Sequence, residues 1–219
     1  MSEITIDHVE RAVRATATTV LRNEQYFSDL DGVAGDGDFG ASLAAGFGVI
    51  DSDFKDLDKS TIGNFLLKIS MIITRNVGGC SGPIWGTGFM RAAMLCKEKT
   101  SITLAELEQM LTSAIEGIQQ RGGAKAGDKT LLDSLIPIRD KIAEHVAAGN
   151  TDTTAALKDA TQVAEDAILR TKDWVAQRGR QSFTGDRSIG SLDPGIVAIA
   201  TILNDVCAEF GVKRPTVAA

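Results

Sequence analysis

Three carboxylates, Asp31, Asp36 and Asp38, fall within eight residues of the run Asp31-Gly-Val-Ala-Gly-Asp-Gly-Asp-Phe-Gly40, threaded with glycine and set directly before an apolar stretch of helical period. Hard oxygen donors at such spacing suit Mg²⁺, which takes near-octahedral oxygen ligands and shares them between one or two carboxylates, water and substrate phosphates. Asp and Gly are also the commonest turn residues, and Asp38 stands where it would cap the next helix. The run alone leaves both readings open.

Three further loops are richer in Gly, Asp, Ser and Arg than corners require. Residues 77–88, Val-Gly-Gly-Cys-Ser-Gly-Pro-Ile-Trp-Gly-Thr-Gly, hold five glycines in twelve positions. Glycine lets backbone N–H groups approach an anion, and a helix N-terminus adds a favourable dipole. The run lacks the ordered Gly-x4-Gly-Lys-Ser/Thr of a P-loop, and tight packing around small residues explains it equally well. Residues 121–130, Arg-Gly-Gly-Ala-Lys-Ala-Gly-Asp-Lys-Thr, offer Lys125 and Lys129 either to a phosphate or to solvent. Residues 178–195 offer Arg180 and Arg187 either to an anion or to neighbouring carboxylates, and Asp193 either to a site or to a helix cap.

The rest of the chain bounds these readings. Its 219 residues, 43% of them hydrophobic, suffice for a substantial core, and we expect one domain over residues 1–211 with a loose tail over 212–219. No apolar stretch reaches the length of a membrane span, and Met1-Ser-Glu-Ile-Thr-Ile-Asp lacks the basic and apolar regions of a secretion signal, so the expected location is cytoplasmic. Cys80, Cys96 and Cys207 are odd in number and show no Cys-x-x-Cys spacing, which argues against a disulfide framework or a zinc site. A net charge of −6 without a basic run disfavours nucleic acid. The two histidines, His8 and His145, sit in helical patterns away from the loops, which disfavours a Ser-His-Asp triad or a phosphohistidine relay.

The elements that must position the loops are helices. Apolar residues recur at helical spacing throughout, and no period-two run of four or more residues reads as a strand. The expected segments are 5–28, 38–52, Ser60 to about Asn76 with Ser60 as N-cap, and one following Pro83. Thr103-Leu-Ala-Glu106 has capping-box form and opens a fifth helix. A sixth follows Lys129, with Pro137 kinking it or starting it; a seventh spans 152–177; an eighth opens at Asp193-Pro194 and runs to Phe210-Gly211. Eight helices with mostly short connections imply an all-α, antiparallel bundle or closed ring, in which the loops before the second, fourth, sixth and eighth helices share one end.

Taken together, Asp31 with Gly35-Asp-Gly-Asp38, Gly78-Gly-Cys-Ser-Gly-Pro83, Gly127-Asp-Lys-Thr130 and Arg187-Ser-Ile-Gly…Asp193-Pro-Gly195 resemble the nucleotide-binding L subunit of dihydroxyacetone kinases, in order and spacing and across nearly the whole chain. The resemblance implies an eight-helix antiparallel up-and-down α-barrel with ADP or ATP at one end. It implies that Asp31, Asp36 and Asp38 ligate two Mg²⁺ ions bridging the nucleotide phosphates. Phe39, Gly40, Ala41 and Ser42 would meet the nucleotide from the second helix, Cys80 and Ser81 from the phosphate loop, and Gly122, Leu131, Arg180, Asp193, Pro194 and Gly195 from the remaining loops. The family usually has histidine where this chain has Phe39, a ring without a conventional hydrogen-bonding group.

The resemblance further implies a phosphoryl-donating role beside a separate K-type subunit that holds dihydroxyacetone or a related short ketose. The donor is either exchangeable ATP or bound ADP rephosphorylated by a phosphotransferase-system phosphocarrier fed from phosphoenolpyruvate. The rival is a non-enzymatic nucleotide-sensing protein that binds a transcription factor.

Overall fold

The computed structural model describes residues 3–213, so the expected tail lies outside the described residues from position 214 onward. The helices are α1 (Ile6–Arg22), α2 (Glu24–Gly32), α3 (Phe39–Ser52), α4 (Ile62–Asn76), α5 (Ser81–Leu95), α6 (Leu104–Gly122), α7 (Leu132–Ala147), α8 (Thr153–Thr171) and α9 (Pro194–Glu209). A short 3₁₀ segment covers Arg180–Ser188. Two-residue strands β1 (Ile4–Thr5) and β2 (Ser101–Ile102) pair antiparallel, too short to show as a period-two pattern. Among the described residues no helix is long and apolar enough to cross a membrane.

Packing follows chain order. Helix α1 packs on α3, each later helix packs on the next, and α9 returns to α1, closing a ring of eight with α2 set between α3 and α9. The apolar stripes read from the sequence face inward. Phe47 and Ile50 of α3 meet Ile62, Phe65, Ile69 and Ile73 of α4 in the largest cluster, and burying each such side chain contributes roughly 1.5–3 kcal/mol. Helix α8 turns Ala156, Ala160 and Ala164 into a second cluster against Ile138 and Ile142 of α7 and Ala200 of α9.

At one end of the ring the N–H groups of Ile6 and Ile62 donate to the carbonyls of Thr100 and Lys99, at 2.8 and 2.7 Å, so the starts of α1 and α4 meet the α5–α6 connection. At this end Thr61 and Thr103 cap α4 and α6 with their side chains, and the Thr103–Glu106 capping box forms as the sequence predicts.

The structure departs from the sequence reading at several boundaries. The expected first helix, 5–28, breaks at Asn23, whose Nδ2 donates to the Thr19 carbonyl at 2.8 Å and ends the turn with a local side-chain bond. The chain therefore has nine α-helices among the described residues, and Asp31 stands in α2 rather than in a loop. The N-cap of α4 is Thr61, not Ser60, and α5 starts at Ser81, ahead of Pro83. Helix α8 stops at Thr171, short of 177. Pro137 lies inside α7, and the carbonyl that its missing N–H leaves free, that of Asp133, accepts from Arg170 Nη2 of α8 at 3.1 Å.

Candidate functional site

The four glycine-rich loops meet. Ser42 on α3 faces Gly78, where an added Cβ would stand 2.9 Å from its Oγ. Arg180 Nη2 lies 3.1 Å from Asp36 Oδ2, joining the fourth loop to the first. Arg178 Nε lies 3.8 Å from Asp128 Oδ2, joining the fourth to the third. An added Cβ at Gly122 would stand 2.8 Å from Ile84 Cδ1, joining the second to the third.

Asp31, Asp36 and Asp38 each offer an oxygen, and these oxygens lie within 4.8 Å of one another. Asp31 is buried at the end of α2, while Asp36 and Asp38 are exposed. The Asp38 N–H donates to Asp31 Oδ2 at 3.1 Å, and an added Cβ at Gly35 would fall 2.2 Å from Asp31 Oδ1, so the loop folds tightly round this carboxylate. Gly37 takes φ +75°, a conformation side chains rarely adopt. Burial pushes the Asp31 carboxyl above its ordinary value, with help from Asp36 and Asp38 and against the N–H groups of Phe39 and Gly37. Asp38 occupies the N-cap position of α3, yet its side chain makes no capping hydrogen bond. The turn-and-cap reading therefore leaves this carboxylate unused.

The second loop divides between its two readings. Gly82 and Gly86 lie inside α5, and an added Cβ would meet the Val77 carbonyl at 2.3 Å or Thr74 Oγ1 at 2.0 Å, so these two serve close packing on α4. Gly78, Gly79 and Cys80 remain exposed ahead of Ser81. Helix α5 starts without a side-chain cap, which keeps its first-turn N–H groups available to an anion.

Of the other expected site residues, Gly40 is buried, and an added Cβ there would fall 1.9 Å from the Glu24 carbonyl. The Ala41 N–H donates to Ser28 Oγ at 3.2 Å. The Phe39 ring is half-buried and packs on Phe27, centroids 6.4 Å apart at 59°, among residues of α2 and α9. Gly122 ends α6 against Ile84, and Gly195 lies against Leu131, where an added Cβ would stand 3.3 Å from the Leu131 Cβ. Pro194 is the first residue of α9, and Asp193 Oδ1 accepts the Ile196 N–H at 2.8 Å, so Asp193 does cap its helix. Burial, with Asp133 nearby, pushes the Asp193 carboxyl up to about 7, against Lys129 and two backbone donors.

The lysine readings change. Lys125 is exposed beside Asp128 at 3.5 Å. Lys129 is fully buried, and its ammonium faces backbone carbonyls rather than the loop surface where a phosphate would approach. Sequence reasoning also missed Asp133, whose two oxygens accept the N–H groups of Gly127 at 2.6 Å and Thr130 at 2.9 Å and shape the third loop. The available signal was an acidic residue in the first turn of a helix, which occurs too generally to mark a site.

This donor set fits a divalent cation carrying polyphosphate. Three clustered carboxylates, one of them buried, have Arg180 as the cation paired to them among the described residues, and an uncapped helix start lies across Ser42 and Gly78.

The DAK2 domain matches residues 33–208. The chain is 35% identical over 175 residues to the Escherichia coli K12 PEP-dependent dihydroxyacetone kinase ADP-binding subunit DhaL, covering 80% of this chain and 83% of that protein. It is 33% identical over 185 residues to the corresponding subunit of PEP-dependent dihydroxyacetone kinase 1 of Listeria innocua, covering 84% and 87%. In three dimensions it resembles the C. freundii dihydroxyacetone kinase in complex with AMP-PNP and Mg²⁺, with a TM-score of 0.70 at 24% identity. That match covers 91% of this chain but about a third, 33%, of the solved kinase, and it concerns the fold.

Proposed function

Because the chain belongs to the DAK2 domain family, matched over residues 33–208, we propose that it is the nucleotide-binding, phosphoryl-donating subunit of a dihydroxyacetone kinase. The observation that carries this reading is the convergence of Asp31, Asp36 and Asp38 across Ser42 and Gly78 from the uncapped start of α5. Asp31, Asp36 and Asp38 would hold two Mg²⁺ ions, and the first turn of α5, which follows Cys80 and begins at Ser81, would receive the phosphate oxygens. Bound Mg²⁺ supplies charge neutralisation to the transferring group, which phosphoryl transfer needs more than covalent chemistry. Arg180 adds a cation over Asp36. Ile84, Gly122, Leu131 and Gly195 form the apolar flank of the same end.

Neither histidine among the described residues serves these loops. His8 accepts the Thr5 N–H in the first turn of α1, and His145 pairs with Asp159 at the far end of α7. This is consistent with a separate K-type subunit that carries the acceptor's general base and the sugar site and presents dihydroxyacetone or a related short ketose. Relatives named PEP-dependent favour ADP that stays bound and is rephosphorylated by a phosphotransferase-system phosphocarrier over ATP that is consumed and exchanged. They also favour catalysis over the regulatory rival. The same reading places the protein in the cytoplasm, where ADP and phosphoenolpyruvate occur.

Reconstitution tests this. The purified chain, given ADP, Mg²⁺, phosphoenolpyruvate, dihydroxyacetone and the phosphocarrier proteins, should form no dihydroxyacetone phosphate until a K-type subunit is added. Robust turnover by the chain without that subunit would overturn the two-component assignment.

A further inference from the structure

Lys129 combines properties that a lysine rarely has together. It is fully buried, and it is the one non-glycine with positive φ, +60°, among the described residues. Its Nζ donates to three backbone carbonyls: Lys172 at 2.9 Å, Trp174 at 3.0 Å and Ser188 at 2.7 Å. An ammonium has three donors and no acceptor, so this shell satisfies it completely. A left-handed backbone is unfavourable for a side-chain-bearing residue and persists only where its surroundings over-determine it. Here it accompanies a cation committed to three oxygens contributed by a different part of the chain.

Two of those oxygens bracket a loop. The Trp174 and Ser188 carbonyls stand fourteen positions apart in sequence and converge on one nitrogen, so the ammonium closes the base of the segment between them. That segment carries Arg180, which reaches Asp36 at 3.1 Å. Around the base, the Ala176 N–H donates to Ser188 Oγ at 2.9 Å and the Gly190 N–H to the Lys172 carbonyl at 3.0 Å. Without the ammonium, the Trp174 carbonyl would lose this donor, and it would face the Lys172 and Ser188 carbonyls, which keep bonds from the Gly190 N–H and from Ser191, across one buried point with no cation between them.

We propose that Lys129 is a positioning residue: its ammonium clamps the base of the 172–191 segment and thereby holds Arg180 over the carboxylate cluster. The functional half of this statement rests on the nucleotide reading above, while the clamp itself does not. Arginine is a poor substitute, because a planar fork does not match three oxygens around a point.

The test compares wild type, Lys129→Met, Lys129→Gln, Arg180→Ala and the Lys129→Met/Arg180→Ala double variant, by amide hydrogen exchange and by calorimetric titration with Mg·ADP. Exchange should accelerate about tenfold or more within 172–191 and remain near wild type in α3, α4 and α5. Affinity for Mg·ADP should fall about tenfold in Lys129→Met but less than about twofold when the same change is made in the Arg180→Ala background, since both act through one contact. Lys129→Gln keeps two of the three donors but loses the charge and should lie between; it also decides the case should Lys129→Met not fold. Exchange that accelerates uniformly over all helices, or an affinity loss as large in the Arg180→Ala background, would show a general stability role and overturn the proposal. Failure of wild type to bind Mg·ADP would instead overturn the nucleotide reading, and the exchange pattern would still judge the clamp.

Discussion

Asp193 carries two demands that oppose each other. Its carboxyl caps α9 through the Ile196 N–H, while burial and the neighbouring Asp133 push its pKa up to about 7. A carboxyl whose folded pKa is raised gives stability that is complete below about 4 and is lost as pH rises through about 7. Asn keeps the accepting oxygen without the charge. Asp193→Asn should therefore melt roughly 3–6 °C above wild type at pH 8, about 1–2 kcal/mol, and the gain should shrink towards zero by about pH 4. Thermal melts across that range check it; a gain independent of pH would mean that the charge is not the cost. The carboxylate triad was legible in the sequence because its members lie within eight residues and hard oxygen donors have a chemistry of their own. Lys129 was not legible. Lysine is ordinarily a solvated residue, and neither its left-handed backbone nor the carbonyls forty and more positions away leave a mark on local pattern.

At the scale of elements, apolar period predicted every long helix, because the stripes it detects are the surfaces that ring packing buries. Period failed at Asn23, where the stripe runs on through Phe27 while a side-chain bond to Thr19 ends the helix. That break lets α2 cross to the α3–α9 seam and carry Asp31 to the cluster from inside a helix. Phe39 belongs to the same seam. With its ring on Phe27 and only half-buried, Phe39→Ala should lower stability by roughly 2–3 kcal/mol, and ADP affinity of the folded protein should change less than about twofold. Phe39→His should also lose stability, because an imidazole placed on Phe27 gives up apolar contact. Melting and ADP titration on both variants separate the cases: unchanged stability with a large loss of affinity would assign the ring to the nucleotide instead.

Across the whole molecule, the ring turns four sequence-distant loops into one surface by placing the starts of α3, α5, α7 and α9 together. Alternation of enriched loops along the chain made that convergence legible, whereas the bonds that fix one loop to another were not, since each joins groups without a shared local pattern. The proposed nucleotide site requires a cation between the carboxylates and polyphosphate, because three like charges would otherwise repel it. The most direct measurement is calorimetric titration of ADP into the purified chain, with Mg²⁺ and with excess chelator, for wild type and for Asp38→Asn. Asp38 makes no capping bond, so Asp38→Asn should keep its helical content and melting temperature. Wild type should bind ADP with Mg²⁺ and lose at least about 100-fold in affinity with chelator, and Asp38→Asn should show a loss of similar size with Mg²⁺ present. Equal ADP affinity in all four titrations would contradict the proposed site.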